Sequence, residues 1–180
     1  MKFMAKMLDE IRVIFVGDIR SSFQRDLYTE FRRLLAKVTL IRASPILQNP
    51  IRFVKNIARV ILLSKNHDVI FVEFLSFYAG ILSFLKRIGI IKKPIVVRCH
   101  RTEIYDLYDK YKWLINTAAR NANLIICVGK RILNDLTKKI PFAKRKSIMI
   151  YNGVDTSKFK IIRKPFTNSE LTIGTLGIHI

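Results

Sequence analysis

The chain has 180 residues, half of them hydrophobic, which is enough apolar material for one domain with a sizeable core and excludes a disordered chain. Its 33 Lys and Arg against 13 Asp and Glu give a formal net charge of +20, well beyond what solubility needs. A field of that sign favours polyanionic partners, whether nucleic acid, anionic lipid head groups or phosphorylated ligands.

Met1–Glu10 is mixed and charged with no apolar run behind it, so no signal peptide is read there. Arg12–Val16 is a near-continuous apolar run ending on Gly17 and Asp18, the pattern of a strand buried on both faces. Phe23, Leu27, Phe31, Leu34 and Leu35 recur at helical spacing and predict a helix over 22–37, with Ser21 or Ser22 as its cap. Residues 38–41 read as a second strand, and Ala43-Ser44-Pro45 as a break. The next segment, 50–65, reads as a basic amphipathic helix. Ile51, Val54, Ile57, Ala58 and Ile61 share one face, and Arg52, Lys55 and Arg59 lie elsewhere.

Residues 68–73 form the third expected strand and 76–88 a buried helix. Val69–Leu85 is almost wholly apolar, yet it is short for a membrane span and carries Glu73 near its start. A strand running into a core helix explains it better, because a carboxylate in lipid costs several kcal/mol. Ile95–Cys99 is the fourth strand. A helix is predicted over 105–121, with Leu107, Tyr111, Leu114 and Ala118 inward. Residues 124–128 give a fifth strand, 131–139 a helix, and 147–150 a sixth strand ended by Asn152-Gly153.

This alternation predicts an α/β fold, a doubly wound, mostly parallel Rossmann-like sheet flanked by helices, over residues 1–160. Phe159–Glu170 is basic and contains Pro, as a linker would, and Leu171–Gly177 begins a strand again. Residues 161–180 are therefore assigned to a linker and the first strand of a second domain.

In doubly wound sheets ligands bind beyond the carboxyl ends of the strands, which selects the candidate residues. Gly17 precedes a helix and fits either a phosphate loop or a plain tight turn; no GxGxxG accompanies it. Asp18 fits a helix cap or a ligand contact. Glu73 fits a hydroxyl-orienting role or a pairing with a neighbouring base. His100 opens the polar run His100-Arg101-Thr102-Glu103 and fits a donor to a sugar hydroxyl or phosphate, an acid or base, or a loop histidine. Arg98, inside a strand, must be paired or reach an edge. Arg101 fits an anion contact or a solvated loop residue. Asn152 and Gly153 end the sixth strand.

Cys99 and Cys127 lie in apolar runs without CxxC spacing and read as buried free thiols of a reducing cytosol. His67, His100 and His179 lack metal spacing, so no metal is expected. Nucleic acid is disfavoured as a partner, since charge comes here without an RNP-type, zinc-finger or KH-type reading motif. Lys55, Arg59, Lys65, Lys86, Arg87, Lys92 and Lys93 cluster in the first half and flank apolar helices, which suits a membrane surface.

The segment from Ala118 to Phe159 carries a further pattern. Ala118-Ala119-Arg120-Asn121-Ala122-Asn123 runs into Leu124–Lys130, then Asn134-Asp135-Leu136, then Ser147–Tyr151 and Asn152-Gly153-Val154-Asp155 with Phe159 four residues on. These residues resemble the end of the N-terminal domain of retaining glycosyltransferases of the two-domain GT-B fold, the glycogen-synthase-like group, family 4-like. Asp68–Val72 and Pro94–His100 are similar to that family's third and fourth strands. The resemblance implies an acceptor-binding domain that faces a separate donor-binding domain across a cleft. It places His100 on that cleft as a catalytic residue and Gly17 where the family's phosphate loop lies; with Gly17, the strand-end residues Asp18, Glu73, Arg101, Glu103, Asn152 and Gly153 are the candidate acceptor or phosphate contacts. It also implies that this chain binds no cofactor itself, and that a nucleotide-sugar donor belongs to the full enzyme. The expected function is the acceptor-binding half of a glycosyltransferase, inactive alone, acting on a sugar or lipid-linked acceptor. It would be cytoplasmic, at the inner membrane face, and completed by a separately encoded C-terminal domain or a homo-oligomer. The alternative is a non-catalytic basic module for an anionic membrane, a partner donor domain or nucleic acid.

Overall fold

The apolar runs become six strands of one sheet. The structure, a computed structural model, describes residues 8–43 and 48–153. The strands are β1 (Arg12–Gly17), β2 (Lys37–Arg42), β3 (Val69–Val72), β4 (Ile95–Cys99), β5 (Leu124–Cys127) and β6 (Ser147–Met149). The helices are α1 (Ser22–Leu34), α2 (Pro50–Ser64), α3 (Phe77–Arg87), α4 (Arg101–Tyr105), α5 (Lys112–Asn121) and α6 (Lys130–Lys139), followed by a 3-10 helix over Pro141–Lys146. Every strand pairing is parallel, in the order β2-β1-β3-β4-β5-β6. The chain steps outward from β1 to β2 and then crosses back to β3. The order therefore reverses between β1 and β3, which opens a crevice beyond their carboxyl ends.

Side chains alternate across the sheet with period two. Ile14, Val16, Ile70, Val72, Ile95, Val97, Cys99, Ile125 and Cys127 belong to the larger core, shared with α2, α3, α5 and α6. Val13, Phe15 and Phe71 form a smaller core under α1, where Leu27, Phe31 and Leu35 pack on them. Phe31 meets Phe15 and Phe71 edge-on, with ring centroids 5.8 and 5.1 Å apart. The larger core fills the space between sheet and helices; among the described residues the smaller one has a single helix above it.

Two expectations need correction. The helix predicted over 105–121 is broken into α4 and α5. Glu103 accepts a hydrogen bond from the His100 backbone N–H (2.7 Å), which starts a helical turn at Arg101. The N–H groups of Asp106 and Leu107 both return to the Thr102 carbonyl, which closes that turn. The chain then drops Tyr108 into the core (6% exposed) before α5 begins. The second correction concerns α2. Its core side is Phe53, Ile57, Val60 and Ser64, while Ile51 and Val54 are 69% and 65% exposed. Phe53 packs on Tyr78 of α3 (centroids 4.5 Å), and the Asn56 amide donates to the Arg42 carbonyl and the Tyr78 hydroxyl. Those contacts fix the helix's rotation. The sequence carries two apolar stripes, and spacing alone did not say which would be buried.

Smaller differences follow the same logic. α1 ends at Leu34, which is 43% exposed, and Leu35 turns extended into the smaller core. Ser21 occupies the N-cap of α1, but its hydroxyl donates to Gln24 and makes no cap bond. Cys99 and Cys127 are buried and free, and they stand opposite each other in the β4–β5 register. His67 is buried between Thr39 Oγ1 (2.9 Å) and the Leu63 carbonyl (2.8 Å). The expected break at Ser44-Pro45 and the linker and strand over 161–180 lie outside the described residues.

Gly80 sets how closely α3 and α5 approach. A Cβ there would stand 2.9 Å from the Leu114 carbonyl oxygen and 2.8 Å from Leu114 Cδ2. Gly129 has open space at the same position. Gly80→Val is therefore expected to cost about 1–3 kcal/mol through overpacking, with Gly129→Ala near neutral. Urea denaturation of both variants checks this, and equal effects would contradict it.

Candidate functional site

Strand ends at the switch point build the site. β1 ends on Gly17, β3 delivers Glu73, β4 carries Arg98 near its end and runs into His100, and the segment after β6 brings Asn152. Glu73 is fully buried. Its Oε1 accepts from Arg98 Nη1 (2.8 Å) and lies 3.1 Å from His100 Nε2. Arg98 is 6% exposed and also donates through Nη2 to the Asn152 side-chain oxygen. Four residues from the ends of β3 and β4 and from the segment after β6 thus form one hydrogen-bonded chain, Asn152–Arg98–Glu73–His100. Glu73 Oε2 has no hydrogen-bond partner among the described residues.

Each member is placed by its neighbours. The Glu73 backbone N–H bonds the Val16 carbonyl (2.9 Å), which extends the β1–β3 ladder by one residue. A Cβ at Gly17 would stand 2.9 Å from Glu73 Cβ and 2.8 Å from the Phe15 ring. Gly17 is thus the residue that lets the buried carboxylate pass. Arg98 alternates out of the larger core to the α1 side of the sheet, where its guanidinium lies 6.0 Å from the Phe23 ring. The His100 imidazole sits between Phe74 and Phe23, with centroids at 5.0 and 5.8 Å. An imidazole nitrogen turned to a carboxylate is most simply the protonated one, which makes Glu73 the group that orients the ring.

Beside this chain lies a cavity of about 640 Å³. α1 contributes Phe23, Leu27 and Phe31; the sheet contributes Phe71, Arg98 and Ile126. Tyr151, Asn152 and Gly153 close one side. Among the described residues α1 is the one helix on this sheet face, and it leaves the β4–β6 side open to the cavity. Its wall is largely apolar and aromatic, with Asn152 and the buried Arg98 on one side and the polar Asp26, Thr29 and Glu30 of α1 on the other.

The structure brings Gly17, Glu73, His100 and Asn152 together and sets Gly153 on the adjoining cavity wall. It leaves the other expected residues elsewhere. Asp18 does not cap α1; it pairs with Arg20 (2.5 Å), because α1 starts too far along the chain for it to reach. Arg101 is exposed, its guanidinium 5.7 Å from the Tyr105 ring. Glu103 is buried and spent on the His100 N–H. Arg98, Phe23 and Phe74 were not among the expected site residues. A lone arginine inside an apolar strand was the signal for the first; the two phenylalanines look like ordinary core residues in sequence. No group of three or more metal-ligating side chains occurs among the described residues.

The Arg98–Glu73 pair is buried on both sides. Removing one partner of such a pair leaves an uncompensated polar group, typically at about 3–5 kcal/mol. Arg98→Met is expected to destabilise by that order, and adding Glu73→Leu to recover part of the loss. A double-mutant cycle measures it; strictly additive losses would contradict the coupling. Burial pushes the Glu103 carboxyl above its ordinary range. The folded state then holds that proton more tightly than the unfolded chain, so stability falls as pH rises past the ordinary carboxylate range. Glu103→Gln keeps the acceptor for His100 and removes this penalty. The variant is expected to gain melting temperature over the wild type at pH 8 but not at pH 4, in thermal scans at both values.

The family comparison covers most of the chain. A family model described as Glycosyltransferase Family 4 matches residues 2–158. No curated protein sequence matches. Among solved structures, Anabaena HepE in complex with UDP aligns with a TM-score of 0.54 at 16% identity, over 82% of this chain and 45% of that one. The same protein with UDP and glucose aligns with a TM-score of 0.54 at 15% identity, over 82% and 46%. The chain thus spans less than half the length of these neighbours. At such identities they establish the fold, and the six-stranded parallel sheet flanked by helices corresponds to one half of a GT-B architecture. With residues 2–158 accounted for by the family model, this chain belongs to Glycosyltransferase Family 4.

Proposed function

We propose that this chain is the acceptor-side half of a glycosyltransferase, one that transfers a sugar from a nucleotide-sugar donor to a saccharide or lipid-linked acceptor. The observation that carries this reading is the placement of Arg98 and Asn152 on the wall of the 640 Å³ cavity, tied through Glu73 to His100 at the strand edge. Apolar and aromatic surface with a few convergent polar groups is what a saccharide site needs: rings to stack on the sugar's apolar face and fixed groups for its hydroxyls. Arg98 is a donor, and Asn152 offers both functions.

In this reading His100 is the catalytic residue, meeting the transferred group in the cleft. Glu73 is a positioning residue that acts through the imidazole. A buried carboxylate holding an imidazole fixes which nitrogen carries the proton and stabilises the charged form when it arises. The nucleotide-sugar donor is assigned to the other half of the enzyme, supplied by a separate domain or a second copy.

Two measurements test this. Incubated with labelled UDP-glucose or GDP-mannose and saccharide acceptors, the purified 180-residue chain is expected to give no labelled product. Saturation-transfer NMR against neutral and phosphorylated oligosaccharides is expected to show binding, weakened about tenfold by Asn152→Ala, a loss of roughly 1.4 kcal/mol. Transfer by the chain alone, or binding of UDP tighter than of any saccharide, would overturn the acceptor-side assignment.

A further inference from the structure

β4 ends on Cys99 and β5 on Cys127, and the two are partners in the parallel register. Partners in a parallel ladder point to the same face of the sheet, and both side chains belong to the larger core, with no exposed surface. Neighbouring strands run about 4.8 Å apart. That lies inside the Cα separation of about 4.4–6.8 Å that a disulfide spans. The backbone is therefore already placed for a bond between the two sulfurs. Nothing in the spacing of the chain announces the pair, because only the pairing of β4 with β5 brings the two residues together.

The pair also borders the candidate site. Cys99 immediately precedes His100, and its Sγ lies 3.7 Å from the His100 carbonyl oxygen. The Cys99 carbonyl accepts the Val128 N–H (3.3 Å), and the Cys127 carbonyl accepts the Ile150 N–H (3.0 Å). The two thiols thus stand at the last rung of the β4–β5 ladder, between the turn that presents His100 and the segment that leads to Asn152. A ladder's end opens locally more readily than its middle, which gives a water-sized reagent its way in. The thiols are not equivalent. The hydrogen bond between them draws Cys127 below its ordinary value, and the same bond, with burial, holds Cys99 well above it. Cys127 is therefore the sulfur that reacts as the thiolate, and Cys99 the one that keeps its proton.

We propose that Cys99 and Cys127 are a redox modification site, at which a peroxide forms a cross-strand disulfide that changes the setting of His100. The Cys127 thiolate attacks one peroxide oxygen and the O–O bond breaks. This leaves a sulfenic acid on Cys127 and, once the departing oxygen is protonated, one water. The Cys99 sulfur then attacks the sulfenic sulfur. The S–S bond forms, the S–O bond breaks, and hydroxide leaves with the Cys99 proton as a second water. The two thiols lose two electrons in all, and the peroxide takes them. The product has no thiol proton beside the His100 carbonyl, and it ties β4 to β5 covalently one residue before the imidazole. The inference rests on strand register and thiol chemistry and is independent of the transfer reading.

The test treats the folded 180-residue chain with hydrogen peroxide and follows intact mass, non-reducing peptide maps and the histidine ring signals in proton NMR. His100→Gln identifies the His100 signal by its loss. The expected result is a loss of two hydrogens in mass and a linked pair of peptides containing Cys99 and Cys127. The His100 signal should shift while that of His67, buried between Thr39 and the Leu63 carbonyl, stays in place. Dithiothreitol should reverse both changes. Cys99→Ala and Cys127→Ala should each abolish the mass loss, with circular dichroism confirming the fold. In Cys99→Ala the sulfenic acid on Cys127 has no resolving thiol, so dimedone labelling should rise above that of the wild type. The wild-type readouts stand without either variant. Thiols that stay reduced under peroxide in the folded chain would overturn the proposal. So would oxidation confined to bonds between chains or to sulfinic acid, or a disulfide that leaves the His100 signal unmoved.

Discussion

Glu73 holds a carboxyl group with no exposed surface where β3 ends, and the arrangement of the site follows from keeping it satisfied. A buried carboxylate without partners is untenable in a protein interior. Here Arg98 comes from the next strand and His100 from the turn beyond it, both reaching the same oxygen. Gly17, on the strand across the switch point, leaves room for the carboxylate's Cβ. Arg98 in turn draws in Asn152. One buried acid thereby gathers residues from β1, β3, β4 and the segment after β6, and ties the strand edge to the cavity wall.

The sheet is dressed unequally on its two faces, and the molecule's cavity and its helical outer surface both come from that inequality. Among the described residues α1 is the one helix on one face, so β4, β5 and β6 leave a recess that Arg98 enters beside Phe23 of that helix. Several helices shield the other face, so that core closes completely and what remains available is the outer side of the helical layer. The first asymmetry produces a lined cavity, the second a broad surface with its own charge and apolar pattern. They lie on opposite sides of the sheet.

Much of this was legible in the chain. Period-two and 3.6-residue patterns placed all six strands and most helices, because apolar runs buried on both sides leave little choice of backbone. Arg98 stood out as a charge inside an apolar strand and Glu73 as one at a strand's end, and pairing was one of the resolutions open to each. The break between α4 and α5 was hidden, since Leu107, Tyr111 and Ala118 keep a helical rhythm through it. Only the Glu103–His100 contact, made by one local turn, shows why the helix starts early and stops.

Sequence alone determined the strands, their parallel alternation with helices, the excess of positive charge and the family to which the 118–159 pattern belongs. Those are properties of local spacing and composition. Tertiary structure decided which of the two apolar stripes on α2 is core, because Phe53 and Asn56 lock onto Tyr78, a residue far along the chain. It also decided which strand-end residues meet. Glu73 and Arg98 are adjacent only because β3 and β4 pair, and Gly17 touches Glu73 only because the strand order reverses there. Asp18 and Arg101 occupy equivalent places in the sequence pattern, yet their contacts are local, Asp18 with Arg20 and Arg101 with the Tyr105 ring.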